Sequence, residues 1–475
     1  MSQLSRTLTL SSVIALVIGG VIGSGIFMKP SVMLAQLGSP VLLLVVWVVA
    51  GIITLFGALT NAEAAAMFPE TGGQYIFFQK MYGNGFAFLY GWAAFAVFNT
   101  AGNASIAYVC STYADYFLHL PRFSDALEQK FHIHIPFIGD VFPLQQIGIK
   151  LLTVLFICVF TWINIRSVEL GAGVQRFLTA LKVAAILLLI FGILFSDKGS
   201  SLHFSERLQH SPSGILLFNA FMAATAGAFW AYDGWNNITF IAGEIKQPQQ
   251  TIPKSLLLGL SVCIVIYALV NYVLVLALSA QQMAASSFVA ADAASAIWGT
   301  TGAALIVLLV IASTLGTTNS NVLATARVTF AMGRESKWFE AAEKVHPRFH
   351  TPAIALLYNA VWTIMLIFTG SFDMLTDMLI FVSWLFYGMS ALGVFILRYK
   401  MKDQNRPYKV WGYPVVPAVF LLFTVFVLGS TIYSDVLHYR EGSTPIVNSV
   451  FGLLITAIGI PVYLFSRKKG NEVAV

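Results

Sequence analysis

Charge is scarce in this chain of 475 residues: only 10% are Asp, Glu, Lys or Arg, against about 25% in an average soluble protein. A soluble globule so poor in charge lacks the polar surface that keeps it dispersed, which excludes a cytosolic enzyme and a nucleic-acid binder. Cysteine is scarcer still. The three present, Cys110, Cys158 and Cys263, each sit inside an apolar run, which argues against the disulfide framework of a secreted scaffold. The eight histidines all fall outside the apolar runs or at their ends. His132 and His134 form an H-x-H pair, but a metal site needs further ligands, so neither a metal nor another cofactor is expected. An H-E-x-x-H helix is missing and Ser24 lacks a G-x-S-x-G frame, which leaves a membrane hydrolase without support. A channel needs a repeated filter or a ring of charges, and the sequence offers neither.

What the chain has in abundance is apolar surface: 58% of its residues are hydrophobic, and the mean hydropathy is +0.79. A helix crosses the hydrocarbon core with about 20 apolar residues. Twelve candidate spans follow, at 9–36, 41–67, 84–118, 142–165, 173–196, 214–243, 254–279, 301–333, 352–370, 374–398, 413–433 and 444–466. The expected class is an all-α polytopic membrane protein, a single transmembrane domain over 1–475 surrounded by the lipid bilayer. The longest connections, 119–141 and 334–351, read as loops or short surface helices. The first span opens after eight residues with only Arg6 before it and no small-residue cleavage site, so it reads as retained rather than as a signal peptide.

Lys and Arg set the orientation. With a cytoplasmic N-terminus, 19 of the 27 basic residues fall in inside segments, among them Arg166, Arg176, Arg334, Lys400, Arg406, Arg467, Lys468 and Lys469. The outside segments hold six: Arg122, Lys130, Lys150, Lys198, Arg207 and Arg440. Lys29 and Lys182 lie within spans. This bias matches the positive-inside rule and expects both termini in the cytoplasm.

Two spans are interrupted. Span 1 carries Gly19, Gly20, Gly23, Ser24 and Gly25, with Pro30 a turn later, and each glycine opposes a helix by about 1 kcal/mol relative to Ala. Close packing through small residues is one reading; an unwound segment between two half-helices is the other. Span 6 carries Gly227, Trp230, Ala231, Asp233, Gly234, Asn236 and Asn237, polar groups that are expensive in lipid unless they face protein or water. Asp233 either caps exposed amides at the break or belongs to a site. The two interrupted spans are five apart in order, an odd offset, so they enter the membrane from opposite sides. Paired Gly-interrupted segments in two halves point to a transporter's midplane site. Each break presents free N–H groups at one end and free carbonyls at the other, a pair of ends that matches a zwitterionic amino acid.

At these residues the chain resembles a known family. The run Ile22-Gly23-Ser24-Gly25-Ile26-Phe27 is similar to the first-helix signature of the amino acid–polyamine–organocation superfamily. The segments 230–236 and Pro69-Glu70-Thr71-Gly72-Gly73-Gln74-Tyr75, with Val345-His346-Pro347 before span 9, resemble its L-type amino acid transporter branch, particularly the bacterial serine/threonine exchanger type. The resemblance implies a LeuT-like fold of five plus five inverted spans. The first repeat would cover 9–196, the second 214–398, with accessory helices over 413–466 and helices 1 and 6 broken. It implies a sodium-independent exchanger of neutral L-amino acids. Backbone around Val21, Ile22, Gly23, Ser24 and Gly25, together with Trp230, Ala231, Asp233, Gly234 and Asn236, would form the substrate site. The amides near Ser24 and Gly25 would take the carboxylate, and the carbonyls of Val21, Trp230 and Asp233 the ammonium. Trp230 would be an aromatic lid and Asn236 a support for the unwound backbone. Two departures stand out. Asp233 replaces a glycine of animal members, though bacterial members share it. The loop between spans 3 and 4 has no cysteine, so no disulfide-linked heavy chain is expected.

Lys182, about two turns into span 5, either snorkels to the cytoplasmic face or, as the resemblance implies, takes the place of a sodium ion and ties span 1 to span 8. Ser313 and Thr314 in span 8 are coupling candidates on the same grounds, although that helix's run of hydroxyls and amides also suits interhelical bonding. Asn99, Thr100, Asn103 and Ser105 in span 3 either line a substrate side chain or pack. Proton-coupled uptake and a membrane amino-acid sensor are the rival readings.

Overall fold

The hydrocarbon core has no water to bond a bare N–H or C=O, so spanning backbone must satisfy itself locally, and the apolar runs fold as helices. The computed structural model describes residues 6, 8–135, 139–166, 168–209, 211–333, 336–369, 372–442, 444 and 446–466. The helices are α1 (Leu10–Val21), α2 (Gly25–Leu37), α3 (Pro40–Met67), α4 (Gln74–Tyr82), α5 (Asn84–Ala93) and α6 (Asn99–Leu118). They continue with α7 (Asp125–Lys130), α8 (Ile147–Arg166), α9 (Val168–Leu194), α10 (Gly214–Tyr232), α11 (Asn237–Phe240) and α12 (Pro248–Ala277). The last six are α13 (Ala280–Ala285), α14 (Val289–Met332), α15 (Ala353–Thr369), α16 (Phe372–Lys400), α17 (Val415–Arg440) and α18 (Asn448–Ser466). A π turn, Ala94–Phe98, joins α5 to α6. The loop expected at 119–141 holds α7 and a small antiparallel hairpin in which Ile133 faces Val141.

The expectation of twelve spans in a five-plus-five plan with two accessory helices is corrected. Among the described residues, nine helices are long and apolar enough to cross a membrane, and ten if the bent pair α1 and α2 counts as one. The difference lies in three expected spans. The first is split, with its halves inclined by 44°, and neither half is long enough alone. The span expected at 352–370 is the 17-residue helix α15, and of the 27-residue α9 the residues described with their side chains, Leu178–Leu194, form a shorter apolar stretch. Hydropathy takes the divided first span and the short α15 for full spans because it measures apolar runs and not helix length. Residues 1–5, Arg334 and Arg467–Lys469, and the side chain of Arg176, all part of the orientation argument, lie outside the described residues.

The polarity of these helices runs inside out. On α17, Leu422, Val425 and Phe426 are exposed, a stripe that faces lipid. On α14, which packs on α6 and α9, Ser313, Thr314, Thr318 and Asn319 are fully buried, and Asn319 accepts from Asn164 Nδ2 on α8 at 2.9 Å. At the end where α3 and α16 meet, Arg398 donates to both oxygens of the buried Glu63 carboxylate, at 2.8 and 2.6 Å. The Val410 N–H donates to Glu63 at 2.8 Å, which pins the connection between α16 and α17. The chain before α1 is tied down as well: the Leu8 N–H donates to Glu244 O at 3.1 Å and its carbonyl accepts from Lys246 N at 2.9 Å, next to α11.

Candidate functional site

Both interruptions are real breaks in the helices. α1 ends at Val21, Ile22 turns extended with ψ 95°, and α2 restarts at Gly25. α10 ends at Tyr232, Asp233 turns extended with ψ 164°, and α11 starts at Asn237. The two breaks touch. Gly234 has φ +97°, and a Cβ built on it would lie 2.6 Å from the Gly20 carbonyl oxygen. Gly25 meets the end of α10 equally closely, its hypothetical Cβ 2.5 Å from Ala231 Cα. Glycine is required at both positions because backbone meets backbone there.

Between the breaks lies a cavity of about 50 Å³, closed further by α6, α14 and α16. Nine of the ten residues expected to bind substrate line it: Val21, Gly23, Ser24, Gly25, Trp230, Ala231, Asp233, Gly234 and Asn236. Ile22 does not line it, because its carbonyl turns away to Lys182. The α2 start carries N–H groups with no carbonyl of their own helix to bond, and the adjacent Ser24 Oγ is buried without a partner. Trp230, 7% exposed, also lines a second cavity of about 210 Å³ that holds Lys29, Gln36, Thr376 and Asp377. Its indole is thus a wall common to both cavities, with Lys29 Nζ 5.6 Å from the ring centroid.

Lys182 sits behind the α1 break. Its ammonium donates to Gly19 O at 3.0 Å, to Ile22 O and to Thr317 Oγ1 at 2.8 Å. It therefore joins α1 to α14, through Thr317 rather than Ser313 or Thr314. The Thr314 hydroxyl bonds back to its own helix at Val310 O and Ile311 O, and Ser313 Oγ is buried without a partner. Neither lines the cavity.

Several residues at the site escaped the sequence reading. Tyr267 on α12 places its hydroxyl 2.9 Å from the carbonyls of both Val21 and Ala231, so a single proton is shared between the two helix ends. Tyr387 donates to Asp233 Oδ1 at 2.7 Å. Asn236 donates to Gln74 Oε1 at 2.7 Å and accepts from Asn61 Nδ2 at 2.7 Å, and Asn61 in turn accepts from Ser390 Oγ at 2.6 Å. This amide network ties the α10–α11 break to α3, α4 and α16. It also explains the 69–75 motif: Gly72 N–H donates to Phe240 O at 3.1 Å, and a Cβ on Gly73 would meet Thr239 Oγ1 at 2.4 Å. Asn61, a lone amide in an apolar run, carried a usable signal; Tyr267 and Tyr387 carried none.

Known proteins are similar to this chain over nearly its whole length. A family model described as amino acid permease matches residues 8–458. The chain is 32% identical to the serine/threonine exchanger SteT of Bacillus subtilis (strain 168) over 471 residues, 98% of each chain. It is 30% identical to the cystine/glutamate transporter of Homo sapiens over 462 residues, 97% of this chain and 85% of the relative. It is also 30% identical to the large neutral amino acids transporter small subunit 2 of Mus musculus over 466 residues, 97% of this chain and 81% of the relative. This multi-pass membrane protein belongs to the amino acid permease family.

Proposed function

We infer that the chain exchanges neutral L-amino acids across the cytoplasmic membrane by alternating access, without drawing on a sodium gradient. The observation that carries this reading is that both helix breaks face one small cavity. The α2 start and Ser24 offer donors suited to a carboxylate, and the carbonyl ends of α1 and α10 suit an ammonium. Trp230 acts as the lid between this cavity and the larger one. Asn236, held by Gln74 and Asn61, keeps the unwound backbone in shape. The segments 9–196 and 214–398 act as two repeats of opposite orientation, and both termini face the cytoplasm.

Sodium independence rests on Lys182. An ammonium surrounded by two carbonyls and a hydroxyl occupies the kind of oxygen cage a sodium ion needs. A second cation about 4 Å away would be opposed by about 4 kcal/mol at an effective dielectric of about 20. The similarity to the Bacillus relative, a serine/threonine exchanger, supports exchange as the mode. Counterflow in proteoliposomes with each common amino acid, with and without ion gradients, tests the reading. Uptake driven only by preloaded amino acid supports it; uptake that follows a pH gradient instead would replace it with proton coupling.

A further inference from the structure

The two ends of the central cavity make different demands. One end offers the α2 amides and the Ser24 hydroxyl. The other is built by α6, where Asn99, Gly102 and Ile106 line the cavity at the i, i+3, i+7 spacing of a single helix face. That face follows directly on the π turn, a feature that recurs at functional sites. Inside the turn, Thr100 Oγ1 donates to Phe95 O at 2.7 Å, and Trp362 on α15 donates to Ala96 O at 2.8 Å, so the irregular backbone is held in place.

Asn99 is 7% exposed, and its Nδ2 is buried with no hydrogen-bond partner. Among the described residues lining this cavity, only Ser24 and Asn99 carry such an unpartnered buried atom. Asn103, one turn further on, does not line the cavity: its Nδ2 donates to Thr325 Oγ1 on α14 at 3.4 Å, while its Oδ1 is buried without a partner. A buried donor left unpaired costs the full desolvation of its N–H, so a group supplied from the cavity is the natural partner.

We propose that Asn99 selects the substrate side chain of this exchanger, donating its Nδ2–H to a side-chain oxygen, so that small hydroxyl amino acids are preferred. This rests on the central cavity being the exchange site. Three filters then act together. A cavity of about 50 Å³ has room for only a few water-sized groups, each needing about 10–15 Å³, which excludes large side chains. Asp233 in the same wall, its Oδ1 engaged by Tyr387, disfavours an acidic side chain. Size and charge do not separate serine from alanine, and Asn99 does: with alanine bound its N–H stays unpaired, and a buried polar group without its partner discriminates strongly.

The test uses the full chain in proteoliposomes and compares kcat/KM for L-serine and L-alanine exchange within each variant, a ratio that does not depend on how much protein inserts. Wild type should prefer serine about tenfold, equivalent to about 1.4 kcal/mol. Asn99→Leu, which keeps the shape and removes the donor, should bring the ratio to about one, and so should Asn99→Ala. As a readout independent of either variant, L-serine should raise the Tm of the wild-type protein more than L-alanine does. Equal Tm shifts, a wild type without serine preference, or variants that keep it would each overturn the role of Asn99 while leaving the exchanger in place. Failure of the wild type to exchange any neutral amino acid would overturn the exchange reading itself.

Discussion

At Gly25 an added methyl collides with backbone, whereas two residues earlier it does not. The Cβ of Gly25→Ala would lie 2.5 Å from Ala231 Cα and 2.6 Å from Ala231 Cβ, so α2 and α10 must separate, at an overpacking cost of about 1–3 kcal/mol. The Cβ of Gly23→Ala would meet Thr317 Cγ2 at 3.4 Å and Thr317 Oγ1 and the Val21 carbonyl oxygen at 3.8 Å, all ordinary contacts. Gly25→Ala should therefore lower exchange at least tenfold and reduce thermal stability, while Gly23→Ala should stay within about threefold of wild type. Similar losses in both variants would show that the α2–α10 approach is not what glycine protects. The glycines of the first break were visible in the sequence because Gly, Ser and Pro are conspicuous in an apolar run. Which of them is indispensable was not visible, since that depends on Ala231 arriving from a helix about 200 residues away. Lys182 shows the same limit. Its place in an apolar run marked it, but its partner on α14 is Thr317; Ser313 lies one turn earlier on the same face, and sequence does not fix the depth at which two helices meet.

At the scale of elements, the molecule depends on polar ties between helices that lipid alone would not hold together. Tyr267 links α12 to the ends of α1 and α10 with one hydroxyl. Tyr267→Phe keeps the ring and removes the tie, so it should slow exchange by about threefold to tenfold, as a net hydrogen bond of about 1 kcal/mol implies, with unchanged insertion. An unchanged rate would make the hydroxyl incidental. The Glu63–Arg398 pair is a stability element instead. Glu63 is 1% exposed, and Glu63→Ala would strand the Arg398 and Val410 donors; removing one partner of a buried pair costs about 3–5 kcal/mol. A melting temperature lowered by several degrees in detergent is expected, and an unshifted one would contradict the pairing. Element identity was largely legible, since apolar runs in lipid have few alternatives to helix. Element length was not: the 17-residue stretch at Ala353–Thr369 and the divided first span look like full spans to hydropathy. The π turn was invisible too, because Ala94–Phe98 reads Ala-Phe-Ala-Val-Phe with no Gly or Pro to mark it.

For the whole molecule, the basic bias predicts that a single cysteine at Ser2 is labelled only from the cytoplasmic side, and one in the 119–141 loop only from outside. Labelling of Ser2 from outside intact cells would invert the topology. Across the membrane, the fixed ammonium of Lys182 joins the α1 break to α14, so the conformational cycle should run without an inorganic cation. Lys182→Ala leaves the Gly19 and Ile22 carbonyls without this donor, and losing a charge-assisted bond of about 1.5–3 kcal/mol should slow exchange about tenfold to a hundredfold in protein that still inserts. The most direct measurement is L-serine counterflow by the wild-type protein in proteoliposomes with potassium as the only metal cation and no pH gradient. Full exchange is expected there, unchanged when sodium is added; exchange that appears only with sodium would contradict the role given to Lys182 and the sodium-independent cycle built on it.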